Sequence, residues 1–244
     1  MSGEAVNGDL PVWAVVPAAG SGRRMQSDTP KQFLEFQGKT LIEHCLDRLL
    51  SHADIDGAII VLNDEDNRWE ALRYQAEKPL FTAAGGNRRQ DSVLSGLAML
   101  QYRRGMDAIA LVHDAVRPLV RHEDIARVIA AARQHEAGAI LATPVADTLK
   151  VEGDQQTISG TLSRDKLWRA LTPQVFHLQP LLNALQRAVS EGREITDDAA
   201  ALELSSYAPA LVEGSADNLK ITTPADLALA EQIWLYQRDQ QDDK

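Results

Sequence analysis

The sequence predicts an α/β fold: a Rossmann-like, mostly parallel sheet flanked by helices, with a β-hairpin arm projecting from it. Three observations point there. Short β-branched apolar runs alternate with longer amphipathic stretches, the pattern of βαβ units. Loops of small residues and arginines follow two of those runs, at the strand ends where parallel sheets bind ligands. One stretch, 145–161, breaks the alternation and reads as a hairpin.

Five runs read as strands: 12–16, 58–62, 80–84, 108–113 and 139–143, the third being the weakest. Five stretches read as helices. In 40–50, Leu41, Ile42, Cys45, Leu46 and Leu49 recur on one face. In 89–101 the stripe is Val93, Leu94, Leu97 and Leu100, and in 123–135 it is Ile125, Val128, Ile129 and Ala132. The stretches 179–189 and 224–236 complete the set. Pro224 suits a first helical turn, with Thr222 and Thr223 as candidate caps. In VADTLKVEGDQQTISGT the Glu-Gly-Asp turn separates two β-prone arms. The polar tail QRDQQDDK is expected to fray. No linker or repeat divides the 244 residues, so one domain over 1–244 is expected, with 145–161 projecting from it.

Composition narrows the function. An apolar fraction of 44% excludes a disordered chain. A net charge of -10 argues against a duplex nucleic-acid partner, though a local cluster of Arg and Lys can still hold a phosphate ligand. No apolar run approaches the ~20 residues that span a bilayer, and the acidic N-terminus does not read as a signal peptide. The single cysteine, Cys45, lies on an apolar helix face and reads as a buried structural thiol. A cytoplasmic location follows as the expectation.

Three clusters carry the chemistry. The first is PAAGSGRRM (17–25), continued by Pro30 and Lys31. Ala18, Ala19, Gly20 and Gly22 let backbone N–H groups approach an anion closely. The Walker pattern fails for want of Gly-Lys-Ser/Thr, and the dinucleotide pattern fails because Met25 holds its last glycine position. Taken alone, the glycines fit a plain connecting loop equally well. Arg23, Arg24 and Lys31 together point to a ligand with more negative charge than a dinucleotide. The second cluster is GGNRRQDSV (85–93), a sharp turn in which Asp91 or Ser92 caps or begins the next helix. The third is VHDAVRP (112–118). Asp114, at a strand's carboxyl end beside a polyphosphate site, is a natural Mg²⁺ ligand. His113 points to the opposite face and is expected to be structural.

With these clusters in order, the chain resembles the 2-C-methyl-D-erythritol 4-phosphate cytidylyltransferase family of the non-mevalonate isoprenoid pathway. The likeness covers nearly the whole chain and continues through PKQF, PVADTLK, SRDKLWRALTPQVF, ITDDAAALE, EGSADNLKIT and PADLALAE. The resemblance implies transfer of CMP from CTP to methylerythritol 4-phosphate with release of pyrophosphate, and a divalent cation such as Mg²⁺. It implies that Arg24 and Lys31 stabilise charge at the α-phosphate, while Arg164 and Lys220 position the acceptor. Arg117, Thr148, Thr172, Thr196 and Asp217 fall in motifs that shape the acceptor pocket. Ala18, Ala19, Gly20, Gly86, Asn87, Ser92 and Asp114 fall in motifs that hold cytosine, ribose or metal. Asn87 stands where an acid would be expected for a side-chain contact. The family is homodimeric, and the resemblance implies an arm that crosses to the partner and lends it residues such as Thr148.

Residue types suit this reaction. A phosphate monoester, with a second pKa near ~6, is already largely a dianion, so a site rich in Arg and Lys and poor in His needs no general base. The rival readings are a cytidylyltransferase for another polyol phosphate such as ribitol 5-phosphate, a non-catalytic nucleotide sensor on the same fold, and a dehydrogenase. Retention of Arg24, Lys31, Asp114, Arg164 and Lys220 together speaks against the sensor, and Met25 against the dehydrogenase.

Overall fold

A computed structural model of the chain describes residues 10–20, 25 and 29–242. Its centre is a seven-stranded sheet in the order β11-β7-β10-β6-β1-β4-β5. These strands are β1 (Val12–Pro17), β4 (Gly57–Leu62), β5 (Leu80–Ala84), β6 (Ile109–Val112), β7 (Ala139–Pro144), β10 (Trp168–His177) and β11 (Ala210–Glu213). All neighbours pair in parallel except β10, which runs antiparallel to both β6 and β7. The helices are α1 (Leu41–Leu50), α2 (Arg68–Leu72), α3 (Arg89–Arg104), α4 (His122–Gln134), α5 (Leu178–Ser190), α6 (Asp198–Glu203) and α7 (Pro224–Asp242).

The apolar runs become strands because both faces of the sheet are covered. Along β1, Val12, Ala14 and Val16 enter one core with Ile42 and Leu46 of α1 and Ile125 and Val128 of α4. Trp13 and Val15 enter the opposite core with Leu97 of α3, Leu181 of α5 and Leu202 of α6. A third cluster seats α7 through Ala230 and Ile233 against Phe36, Leu41, Val116 and Ile221. Helix α1 starts at a capping box: the Glu43 N–H donates to Thr40 Oγ1 (3.5 Å), and the Thr40 N–H donates to Glu43 Oε2 (2.7 Å).

Strand order places the site. From β1 the chain moves outward through β4 to β5, then returns to set β6 on the other side of β1. The crevice at the carboxyl ends of β1 and β6 is therefore a topological switch point, the usual ligand position in such sheets. The loop after β1 and Asp114 after β6 both open there.

The predicted arm is a separate two-stranded sheet of β8 (Leu149–Glu152) and β9 (Ile158–Leu162), reaching slightly past the expected 145–161. Its Val151, Ile158 and Leu162 are exposed. The remaining strands, β2 (Glu35–Phe36) and β3 (Lys39–Thr40), form a small hairpin before α1.

Several expectations need correction. Strands β10 and β11 and helices α2 and α6 add to the expected elements. Helix α3 begins at Arg89 and continues to Arg104, and Asp91 is its third residue, accepting from the Arg88 N–H (3.2 Å). The tail does not fray at 237. Helix α7 runs to Asp242, and Gln237 is buried with its Nε2 donating to the Leu119 carbonyl (3.1 Å). No helix among the described residues is long and apolar enough to cross a membrane.

Candidate active site

Two small-residue loops form one wall of a cavity of about 400 Å³. Each loop is tied to the end of β4: Ala18 N–H donates to the Val61 carbonyl (2.7 Å), and Gly85 N–H to the Leu62 carbonyl (2.6 Å). The loops touch so closely that only glycine fits at 85. A Cβ there would lie 2.3 Å from Ala19 Cβ, and one at Gly86 would lie 2.5 Å from Asp91 Cβ. Gly86 N–H donates to Ser92 Oγ (3.1 Å), whose hydroxyl donates in turn to the Arg88 carbonyl (3.3 Å), so the first turn of α3 holds the second loop. Gln32, buried below the first loop, donates from Nε2 to the carbonyls of Ala18 (2.6 Å) and Gly20 (3.1 Å).

Opposite this wall stands Asp114, with a side chain only 9% exposed. Its Oδ1 accepts from Arg89 Nε (3.3 Å), and its Oδ2 from Lys220 Nζ (2.8 Å) and Arg117 Nε (3.4 Å). Burial alone would raise the Asp114 pKa, yet Arg89, Lys220 and Arg117 together hold it far below the usual carboxylate range. Asp114 is therefore an anion at any working pH. Arg89 also grips the fully buried Asp198 with both Nη atoms (3.0 and 2.8 Å). Burial pulls the Arg89 pKa down, but Asp198 and Asp114 outweigh it and leave it raised.

His113 lies behind this cluster and is wholly buried. Asp114 N–H donates to Thr172 Oγ1 (3.1 Å), Thr172 Oγ1 pairs with His113 Nδ1 (3.1 Å), and His113 Nε2 pairs with the Arg117 carbonyl (3.0 Å). All three bonds are satisfied together when Nε2 carries the proton and Nδ1 accepts from the hydroxyl. Burial lowers the His113 pKa to about 4, so the ring is neutral and structural. Cys45 is likewise buried, and desolvation pushes its thiol well above the ordinary range.

The cavity brings together Ala18, Ala19, Gly20, Lys31, Gly86, Asn87, Ser92, Asp114 and Lys220 from the predicted set. Gly22 and Arg24 lie outside the described residues. Arg117 and Thr172 stand behind Asp114: both are buried, and Arg117 Nη1 donates to the Asn218 carbonyl (2.7 Å). Asp217 pairs with Arg121 and accepts from Gln237 Nε2 (3.2 Å). Thr196 is exposed just before α6. Thr148 and Arg164 belong to the arm region, exposed, with Arg164 Nη1 donating to the Ala146 carbonyl. Neither lines the cavity within one chain. Sequence reasoning missed Gln32, Asn63, Arg88 and Arg89 in the lining and Asp198 behind it. The available signals were the PKQF motif, the arginine pair in GGNRRQDSV, and two acids opening the otherwise apolar DDAAAL.

Chemically, the arrangement offers a wall of backbone amides and small side chains faced by Lys31, Arg88, Arg89, Lys220 and one carboxylate. That combination suits a polyphosphate of a nucleotide. The sequence profile described as 2-C-methyl-D-erythritol 4-phosphate cytidylyltransferase matches residues 12–235. The chain belongs to this family. Two proteins of that name, from Vibrio vulnificus (strain CMCP6) and Stenotrophomonas maltophilia (strain K279a), are each 47% identical to it. The first aligns over 89% of this chain and 92% of the relative, the second over 88% and 93%. A crystal structure described as 4-diphosphocytidyl-2C-methyl-D-erythritol synthase superposes with a TM-score of 0.80 at 34% identity, covering 93% of this chain and 99% of that one. The Francisella tularensis 2-C-methyl-D-erythritol 4-phosphate cytidylyltransferase gives 0.79 at 31% identity, covering 91% and 99%. As a member of the cytidylyltransferase family the chain is a nucleotidyltransferase, and the ribitol phosphate alternative is not favoured by these relatives.

Proposed function

We propose that this chain transfers CMP from CTP to 2-C-methyl-D-erythritol 4-phosphate, giving 4-diphosphocytidyl-2-C-methyl-D-erythritol and pyrophosphate, a step in isoprenoid precursor synthesis. The observation that carries the reading is the convergence of Lys31, Lys220 and Asp114 on one cavity walled by two small-residue loops. A phosphate oxygen of the acceptor attacks the α-phosphorus of CTP in line. A P–O bond forms there, the bridge to the β-phosphate breaks, and pyrophosphate departs. The attacking dianion needs no base, which fits a site whose nearest histidine, His113, is buried and neutral. What the protein must supply is position and positive charge where negative charge grows.

Lys31 and Arg24 are assigned to the α-phosphoryl oxygens. Lys220, with Arg164, is assigned to the acceptor phosphate. Ala18, Ala19, Gly20, Gly22, Gly86, Asn87 and Ser92 are assigned to CTP. Arg117, Thr148, Thr172, Thr196 and Asp217 are assigned to shaping the acceptor side, and the placement of Arg117 and Thr172 supports an indirect part for them, as props of Asp114.

A divalent cation such as Mg²⁺ fits here as a single-carboxylate site completed by substrate oxygens. No group of three His, Cys, Asp or Glu side chains stands ready among the described residues, but Mg²⁺ is commonly held by one or two carboxylates and substrate phosphates. Asp114 faces the cavity, and its three donors, Arg89, Arg117 and Lys220, leave room on its roughly four lone-pair sites. Asp114 would hold the ion, which when bound offsets charge on the triphosphate.

The arm supports a homodimer with arm exchange. An isolated two-stranded hairpin is marginal in water, and this one exposes Val151, Ile158 and Leu162. A partner's cavity would give Thr148 and Arg164 the acceptor contact they lack in their own chain. No nucleic-acid or membrane partner is called for, and the lone buried thiol suits the cytoplasm. The test is pyrophosphate release from CTP with methylerythritol 4-phosphate or ribitol 5-phosphate as acceptor. Release with the first alone is expected, and release with ribitol 5-phosphate alone would overturn the substrate assignment.

A further inference from the structure

We infer that Asp198 and Arg89 form a positioning pair that fixes the orientation of the Asp114 carboxylate for nucleotidyl transfer. The inference rests on the reading of the site given above. A guanidinium is a rigid planar fork, so fixing one edge fixes the direction of every other N–H. In Arg89 the Nη1/Nη2 edge is taken by the two oxygens of Asp198, at 3.0 and 2.8 Å. Of the three N–H groups left, the Nε–H points to Asp114 Oδ1 at 3.3 Å. Oδ2 is left to Lys220 at 2.8 Å and Arg117 at 3.4 Å.

Asp198 cannot drift. Its side chain is fully buried at the start of α6. Its N–H and that of Ala199 both donate to Gln174 Oε1 (3.0 Å each). Gln174 Nε2 donates to Asp197 Oδ2 (2.8 Å), and Asp197 Oδ1 caps α6 by accepting from Ala200 N–H (3.0 Å). Gln174 lies on β10, and so does Thr172, whose Oγ1 accepts the Asp114 N–H. The main chain and the carboxylate of Asp114 are thus both referred to one strand. The neighbouring Gln90 pins the same loop from the other side, donating to the Arg193 carbonyl (3.0 Å) and accepting from Ile195 N–H (3.1 Å).

Charge explains why a second carboxylate is needed. Arg89, Arg117 and Lys220 are three cations around Asp114, and among the described residues Asp198 is the only other carboxylate paired with them. Without its charge the Arg89 fork would be released beside Asp114. It would then compete with Lys220 for both Asp114 oxygens, because a bidentate guanidinium–carboxylate pair is stronger than a single bond. Lys220 would be displaced from its place between Asp114 and the acceptor.

The experiment compares pyrophosphate release by the wild type, Asp198→Asn, Arg89→Lys, Arg89→Gln and the double variant Asp198→Asn/Arg89→Gln. Each rate is referred to folded protein, counted by near-UV circular dichroism. Asp198→Asn is expected to lower kcat on the order of 10–100-fold, as loss of an orienting partner does, while KM for CTP stays close to wild type. Arg89→Lys should fall as far, since an ammonium cannot bridge two carboxylates with fixed geometry. The double variant should lose no more than Arg89→Gln alone, because one residue acts through the other. Additive losses, or an Asp198→Asn enzyme with wild-type kcat per folded molecule, would overturn the inference. If Asp198→Asn does not fold, the partly exposed Arg89→Lys carries the test, and a wild-type kcat there overturns it equally. A wild type that releases no pyrophosphate sinks the functional reading and this inference together. A working wild type with unaffected variants sinks the inference alone.

Discussion

Gly85→Ala tests whether the spacing of the two small-residue loops determines nucleotide handling. The new methyl would sit 2.3 Å from Ala19 Cβ and 3.0 Å from the Leu62 carbonyl oxygen. Carbon atoms rest about 3.5–4.0 Å apart, so the loops must part by roughly 1.2–1.7 Å. They cannot do so freely, because Ala18 and Gly85 are both bonded to the end of β4. Overpacking of this kind costs about 1–3 kcal/mol. In a chain of this size each kcal/mol lowers Tm by about 2–4 °C. The catalytic loss should be larger than the loss of stability implies. A displacement near 1 Å in a positioned site costs on the order of 100-fold in rate. Steady-state pyrophosphate release at saturating acceptor, with a thermal melt of the same preparation, measures both. A folded Gly85→Ala enzyme with wild-type kcat/KM for CTP would refute the claim that these loops act as one rigid cradle.

Lys31→Ala should lower kcat on the order of 10²–10³-fold, the usual cost of a lost preorganised donor, with a much smaller rise in KM for CTP. A loss carried by KM alone would make Lys31 a binding group only. Stability should fall below pH 6.5: His113 drops from an ordinary 6.5 to about 4 through burial. The unfolded chain then binds the extra proton first, so its contribution is full above 6.5 and is lost as pH falls toward 4. That contribution amounts to at most about 3 kcal/mol, and His44, His52 and His177, also lowered chiefly by burial, act in the same direction. Urea unfolding at pH 7 and pH 5 reads it, and equal midpoints would contradict it. Gln237→Leu should destabilise by about 1–3 kcal/mol, since the Leu119 carbonyl loses its buried donor. An unchanged urea midpoint would return the tail to the frayed state first expected of it.

The parts of the fold legible in the sequence were those with strong periodicity. Strands β1, β4, β6 and β7 are dominated by Val, Ile, Leu and Ala, and helices α1 and α4 carry clear stripes. Strand β10 hid because WRALTPQVFH contains Pro173, a residue that argues against a central strand. The sheet accommodates it through a register shift between Ala170 and Gln174. Helix α6, at six residues, is too short to show a period. The end of α7 reads as a fraying tail because one buried glutamine among polar neighbours leaves no apolar signal. At the site, the glycine loops and Lys31 are readable as types suited to phosphate and Asp114 as a metal ligand, whereas Lys220 enters only through the family resemblance. Arg89 and Asp198 are not readable, because they lie 109 residues apart and only the folded chain joins them.

The cavity wall has a consequence for inhibitor design. Ala18, Ala19, Gly20, Gly85 and Gly86 line the cavity with small side chains or none, and bulk at Gly85 or Gly86 collides with the protein's own loops. An inhibitor that recognises only the amides and carbonyls of these residues would rest on atoms that no codon change removes. Escape by point substitution would have to come from positions with room for a new or altered side chain, such as Gly20, where an added Cβ meets nothing within 4 Å, or Asn63, Asn87 and Arg88 in the lining. Compounds that leave those positions untouched should therefore meet resistance slowly.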